Sequence, residues 1–295
     1  MKKFSRREMI QASLACMSAL SAGLPIPGFS GSKNAEIDQV ELGKTGLQVS
    51  RLALGCGNSS WARQSKFTRL GVDTFLKVAP YAYERGVTFL DTADLYGTHP
   101  FVGELFKSIP RDNFQLLTKI WTTNADWYKV VPVQETLDRF KKEMGTDYFD
   151  IVLLHAMESG NWIQEKQQFR DELGEAKQKG EVKKVGVSCH NIDALRVAAE
   201  DPWVDIILAR INPYQMIMDG TPEEIMTILE TASKNGKGVI GMKIFGNGEM
   251  SSEEQRNKSL NFSIRNENIH AVTIGLEKFE YVDYAVERVT DIAKS

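Results

Sequence analysis

The sequence predicts an α/β chain closed into a (β/α)8 barrel, with a β-hairpin ahead of the first barrel strand. Three observations carry that expectation. From Val40 onward, short apolar β-rich runs alternate with helical stretches, which is the pattern of a parallel sheet covered by helices. Eight such runs occur, apolar along their length as strands buried on both faces must be. A chain of 295 residues with 42% hydrophobic content can bury one large core without dividing into two.

The hairpin is expected over residues 39–42 and 47–49. Strands follow at 51–54, 88–91, 115–119, 150–155, 184–188, 205–211, 238–243 and 271–275. Between them the pattern predicts helices over 69–85, 133–143, 162–179 and 222–235, most ending near a glycine that can take a left-handed cap. A last helix over 280–293 closes the ring. Closure is favoured because an open sheet of this size leaves two edges to protect. The competing doubly wound sheet loses ground at Gly55-Cys56-Gly57-Asn58, which lacks the full GxGxxG spacing and is not followed at once by a helix.

Thirty-six basic residues against 39 acidic ones leave a net charge of −3, too weak a field to gather nucleic acid or an anionic membrane. A small-molecule partner is therefore expected. Cys16, Cys56 and Cys189 form no CxxC pair and no metal-ligand spacing, so neither a disulfide scaffold nor a metal site is expected. Residues 1–35 read as a signal peptide and linker ahead of a barrel domain over 36–295. Residues 1–7 are basic, 12–24 are apolar and small, and Pro25-Ile26-Pro27-Gly28 breaks any helix. The apolar part is shorter than the roughly 20 residues that span a bilayer. Ser5-Arg6-Arg7-Glu8-Met9-Ile10 resembles a twin-arginine export signal. That resemblance implies the twin-arginine export machinery as a partner and the periplasm or cell envelope as the destination, the cytoplasm being the alternative if the signal is unused.

Barrel active sites are assembled from the C-terminal ends of several strands, so polar residues there carry most weight. Val87-Thr88-Phe89-Leu90-Asp91 ends in a carboxylate, Gln115-Leu116-Leu117-Thr118-Lys119 in an ammonium, and Ile151-Val152-Leu153-Leu154-His155 in an imidazole. Tyr96 lies one short loop beyond Asp91. Neighbouring strands let the four converge, and the chemistry that suits them is proton transfer to a carbonyl oxygen as hydride reaches its carbon. A tyrosine of pKa about 10 is a weak acid, which a lysine cation is expected to bring down toward neutrality. Asp91 would hold Lys119 charged and His155 would orient the substrate oxygen. Taken singly, each has a structural reading: a cap for Asp91, packing for Tyr96, a half-solvated lysine, a satisfied core histidine. Their joint placement at three adjacent strand ends favours chemistry. Trp61, Trp121 and Trp162 either line a substrate pocket or anchor loops.

These residues carry a resemblance to the aldo-keto reductase family over most of the chain after residue 36. Leu42-Gly43-Lys44-Thr45-Gly46-Leu47-Gln48-Val49-Ser50 is similar to the family's opening hairpin, and Phe89-Leu90-Asp91-Thr92-Ala93-Asp94-Leu95-Tyr96-Gly97 to its most diagnostic motif. The resemblance implies a catalytic tetrad of Asp91, Tyr96, Lys119 and His155, with Tyr96 as general acid, and NADPH lying extended across the barrel mouth. It also implies cofactor contacts from Ser188 on the fifth barrel strand, where Cys189 replaces an asparagine. On the sixth strand a glutamine would fall near Leu208, leaving Arg210 and Asn212 as polar candidates. Met242 stands where a ring-stacking tyrosine is common, Lys243 and the amides around Phe245 could meet the pyrophosphate, and Gly275 is retained. Glu277-Lys278-Phe279-Glu280 shows no clear basic cluster for the 2′-phosphate, so NADP(H) rests on family habit and NAD(H) is not excluded.

The function expected is the interconversion of a carbonyl (aldehyde, ketone or sugar) and an alcohol with NADP(H). The alternative is an exported, non-catalytic barrel that binds a nicotinamide nucleotide in a sensing or regulatory role. The chain stops soon after its last helix, so the substrate pocket is expected to be open or completed by another subunit, with the oligomeric state left open.

Overall fold

The computed structural model describes residues 37–295, and the signal-peptide reading of residues 1–35 lies outside the described residues. Strands β1 (Gln39–Glu41) and β2 (Gln48–Ser50) pair antiparallel, with Val40 opposite Val49. Eight strands follow: β3 (Leu52–Gly55), β4 (Phe89–Asp91), β5 (Gln115–Ile120), β6 (Phe149–Met157), β7 (Val182–Cys189), β8 (Ile206–Arg210), β9 (Gly238–Met242) and β10 (Ala271–Gly275). Each runs parallel to its neighbour in the chain, and β10 returns to β3, Val272 opposite Leu52, which closes the sheet. This is the expected (β/α)8 TIM barrel with its leading hairpin.

The helices are α1 (Lys66–Leu70), α2 (Val72–Glu84), α3 (His99–Phe106), α4 (Val133–Met144), α5 (Trp162–Glu165), α6 (Gln167–Gln178), α7 (Ile192–Glu200), α8 (Pro222–Lys234), α9 (Glu253–Ile264) and α10 (Phe279–Lys294). Two differ from the sequence reading. The single helix expected over 69–85 is split at Gly71, whose φ of +89° breaks the ladder, and α1 instead starts early at a capping box between Ser65 and Thr68. The helix expected over 162–179 is interrupted at Lys166, which leaves helical dihedrals while its ammonium reaches Thr122 O at 3.1 Å. Helix α9 has no clean apolar stripe: it buries Ser259 and Ser263 beside Leu260 and Ile264. Among the described residues no helix is long and apolar enough to cross a membrane.

The barrel interior is one apolar cluster that includes Phe89, Leu117, Ile151, Leu153 and Ile240, and Leu42 and Val49 of the hairpin belong to it. The hairpin turn also donates from Lys44 N to Gly236 O at 2.8 Å, just before β9 begins. The hairpin therefore plugs the N-terminal end of the strands. Residues that converge on a ligand are left to the C-terminal end.

One irregularity matters for the site. Near its end β6 shifts register against β7 between Leu154 and Met157, at Ala156, whose φ is +60°. Such a bulge re-aims the side chains beside it. Here the neighbour is His155.

Leu153 is fully buried in the central cluster. Leu153→Ala is expected to remove about 2–5 kcal/mol of stability, read as a lower urea midpoint with an unchanged slope.

Candidate active site

The centre of the site is a buried ammonium. Lys119, on β5, is fully buried, and its Nζ donates to the Asp91 carboxylate, to Thr92 O at 2.8 Å and to the Tyr96 hydroxyl at 3.2 Å. An ammonium has three protons, and these three acceptors use all of them. The second Asp91 oxygen accepts from Thr273 Oγ1 of β10 at 2.7 Å. Asp91 is thus clamped between two strands and cannot turn away from Lys119. Tyr96 ends a short 3-10 turn, Asp94–Tyr96, and its ring lies against Gly57 so closely that a Cβ there would sit 2.2 Å from it. Only glycine allows this approach.

His155 completes the group. Its ring stands nearly perpendicular to that of Tyr96, centroids 5.6 Å apart, and its Nδ1 is buried without a hydrogen-bond partner. Burial, followed by the charge of Lys119 and by His190 and Lys243, holds its pKa well below the usual histidine value. The imidazole is therefore neutral, able to donate from one nitrogen without bringing a charge. For Tyr96 the sequence expectation needs correcting. Burial raises the phenol above its ordinary value, and Lys119 pulls against that rise without reversing it. The residue is held as a protonated acid. Lys119, which burial alone would lower, is raised by Asp91 and Tyr96 and stays charged.

The Tyr96 turn is itself held from below. Asp94, buried, accepts from Arg63 at 2.6 Å and from Arg139 at 2.7 and 3.0 Å. Arg139 also donates to Glu143 at 3.0 Å, and His99 bridges Glu143 at 3.0 Å and Thr118 Oγ1 at 2.8 Å. Burial pushes His99 down, so it is the neutral ring that donates to Glu143. Burial opposes ionisation of Glu143, but the bonds from His99 and Arg139 hold it down to about 2.

The structure divides the three tryptophans singled out in the sequence. Trp162 is buried and donates to Ala194 O at 3.3 Å, so it is a loop anchor. Trp61 and Trp121 meet edge to face at 5.9 Å, joined by Trp127, and Trp121 packs 5.5 Å from His155. They form an aromatic wall beside the tetrad.

From Asp91 and Tyr96 a cleft of about 620 Å³ runs past Met242, Lys243, Phe245 and Gly275 toward Arg256, Tyr281 and Tyr284. Four of the seven expected cofactor residues therefore line one groove. The other three are placed elsewhere. Ser188 Oγ accepts from Ala156 N at 2.8 Å and so holds the bulge that aims His155. Asn212 is fully buried, donating to Met216 O and Lys243 O and accepting from Tyr214 N and Met216 N, which uses up its amide inside the turn after β8. Arg210 meets Asp219 at 3.3 Å. His190, given no role from the sequence, lies 6.3 Å from His155 between ring centroids, and burial together with Arg210 and Lys243 holds it down to about 3.

The groove suits an elongated, partly apolar ligand in its chemistry. Met242 and Phe245 offer apolar faces, Lys243 an ammonium donating to Asn247 Oδ1 at 2.9 Å, and Gly246 and Gly248 small residues beside it. The positions where the resemblance places carboxamide contacts, Cys189 and Leu208, are both sealed in the core. Thr273, Gly57, Trp127, His190 and Glu277 were not singled out in advance as site residues. Thr273 had a readable signal, since it shares a strand face with Gly275 two residues on.

A closed barrel with a tyrosine, a lysine–aspartate pair and a neutral histidine at the C-terminal ends of its strands, opening on a long groove, defines a class of acid–base barrel. The aldo/keto reductase family profile matches residues 53–295, and the chain belongs to that family. It is 30% identical over 173 residues to probable aldo-keto reductase 1 of Glycine max, covering 56% of this chain and 48% of that protein. The chain spans about half the length of the first curated relatives it matches. Among solved structures it resembles a putative aldo-keto reductase from Pseudomonas aeruginosa, with a TM-score of 0.72 and 18% identity, covering 89% of this chain and 98% of that one. It also resembles an aldo-keto reductase from Klebsiella pneumoniae in complex with NADPH, with a TM-score of 0.64 and 15% identity, covering 86% of this chain and 90% of that one.

The Glu143 carboxyl, held at about 2 against an ordinary 4.5, stabilises the fold above pH 4.5, and the contribution is lost as pH falls toward 2. Glu143→Gln is expected to lower thermal stability at pH 7 by on the order of 1 kcal/mol. In melting curves the gap from wild type should close as the pH is brought down through that window.

Proposed function

We propose that the protein interconverts a carbonyl (an aldehyde, a ketone or a sugar) and an alcohol, with a nicotinamide dinucleotide as hydride carrier and Tyr96 as the proton donor and acceptor. The contact that carries this reading is the one from Lys119 Nζ to the Tyr96 hydroxyl at 3.2 Å. Family membership supports it, and so does the NADPH held by the Klebsiella pneumoniae protein of the same fold. The dinucleotide, when bound, supplies or accepts the hydride. All other steps fall to the chain's own side chains.

His155 Nε2 donates to the substrate oxygen while remaining uncharged, so the oxygen is placed without a competing ion. Tyr96 gives its proton to that oxygen as negative charge develops there, and Lys119 stabilises the phenolate left behind. Asp91 keeps Lys119 in place through both halves of the cycle, because an ammonium so deeply buried needs a fixed counter-charge. In the oxidative direction Tyr96 must first lose its proton, so alcohol oxidation speeds up as pH rises. Trp61, Trp121 and Trp127 form the side of the pocket from which substrate reaches His155. Met242 would cover one face of the nicotinamide, and Lys243 with the amides near Phe245 would meet the pyrophosphate. NADP(H) is the form the family leads one to expect, NAD(H) the other. The twin-arginine-like residues 5–10 and the apolar run after them support delivery of the folded enzyme to the periplasm.

Replacing Tyr96 by Phe is expected to cut turnover of a carbonyl panel about 10²–10⁴-fold while dinucleotide binding, followed by fluorescence titration, stays unchanged. Wild-type turnover by this variant would refute the reading.

A further inference from the structure

Among the described residues, Glu277 is the only acid whose two carboxylate oxygens are both buried and accept no hydrogen bond. It lies between β10 and α10 on the wall of the cleft, its side chain 1% exposed. The nearest cation is the Lys66 ammonium at 3.7 Å, which balances charge but stands outside hydrogen-bond reach. Its Oε1 is so close to Gly275 that a Cβ there would lie 2.8 Å from it, and the same Cβ would meet Asn58 at 3.1 Å. Kept inside without donors, the carboxylate is expensive, and strain of that sort belongs where a ligand relieves it.

The missing partners are hydrogen-bond donors that carry no negative charge. Under the function proposed above, on which this inference rests, the reacting end of the dinucleotide is placed by Tyr96 and Met242. Its other half then extends along the groove toward the α10 end, where Glu277 stands with Tyr281 and Tyr284. The adenosine half offers uncharged donors in the ribose hydroxyls and the adenine amino group, and the hydroxyls come first along the groove because the ribose adjoins the pyrophosphate. A phosphate on the 2′ position would instead bring about 1.5 to 2 negative charges against Glu277, with Glu280 on the same wall. The cations at hand do little to offset this. At the α10 end Lys66 and Lys278 stand over the Tyr281 ring at 5.8 and 5.5 Å and are matched in number by Glu277 and Glu280, while Lys243 is turned to Asn247 and Arg256 Nη1 to Met250 O and Ser251 O at 3.2 and 2.8 Å.

We propose that Glu277 accepts the adenosine 2′-hydroxyl and makes this chain selective for NAD(H) over NADP(H), the reverse of the preference its resemblance implies. An acid that receives the 2′-hydroxyl while excluding the 2′-phosphate is a general solution to this discrimination. In this protein the acid follows the last barrel strand.

The test titrates the full chain with NADH and with NADPH, following tryptophan fluorescence, and measures melting temperatures without nucleotide. NADH is expected to bind at least tenfold tighter than NADPH. Glu277→Gln should bring the two within about threefold, and Glu277→Arg should invert the order. Without nucleotide, Glu277→Gln should melt no lower than wild type, since it removes a buried acid that accepts no hydrogen bond; a fall of several degrees would reveal a structural role and overturn the assignment. Equal or tighter binding of NADPH by the wild type, or an unchanged ratio in Glu277→Gln, overturns the assignment and leaves the hydride-transfer reading standing. Binding of neither nucleotide overturns both.

Discussion

The Lys119 ammonium sits at the bottom of the barrel mouth with no access to solvent, and the arrangement around it follows from that placement. A buried cation must have its protons accepted and its charge opposed. Asp91 provides the charge, Thr92 O a neutral acceptor, and the Tyr96 hydroxyl the third. The first two are immovable because one is backbone and the other is tied to Thr273 across the closed sheet. The third is the only one of the three that also carries a proton to give. The need to satisfy a buried ammonium thus places a phenol where a substrate oxygen can reach it, and it ties β4, β5 and β10 together at the same time.

The surroundings tune this group in a consistent direction. Burial keeps the Tyr96 phenol protonated and His155 uncharged, while Lys119 remains a cation. The site is therefore ready as an acid in its resting state and holds a single fixed positive charge next to the donor. Its geometry depends on features well away from the chemistry. The Ser188 hydroxyl holds the bulge that turns His155 inward, Asp94 with Arg63 and Arg139 anchors the Tyr96 turn, and the hairpin plugs the opposite end. Stability and function share these parts.

The groove is less uniform than the tetrad. Its middle, at Met242, Lys243 and Phe245, carries the mixture of apolar faces and charge suited to an elongated nucleotide. At Cys189 and Leu208 the polar contacts implied by resemblance are missing, and near α10 the Glu277 carboxylate is buried without a hydrogen-bond donor. Proton-transfer residues are constrained to about one bond length by the reaction, whereas a dinucleotide is held by many weak contacts that can be exchanged one at a time. The chain departs from the family pattern where such exchange is tolerated.

Composition and period alone determined the barrel. Uninterrupted apolar runs at eight places can be satisfied only by strands covered on both faces, and each strand bound predicted from them falls within two residues of the observed one. The placement of Asp91, Lys119 and His155 was legible for the same reason, because a polar residue near the end of an apolar run has little choice but to lie at the C-terminal mouth, with Tyr96 one short turn beyond. What the sequence could not decide is set by contacts between residues far apart in the chain. Thr273 reaches Asp91 only because the sheet closes on itself, Gly57 matters only because the Tyr96 ring rests on it, and Ser188 serves the His155 bulge only because β6 and β7 slip register there. Asn212 and Glu277 make the same point in opposite senses. A polar residue just past a strand end can be spent inside its own turn or left bare on a cleft wall, and only the packing of its neighbours tells which.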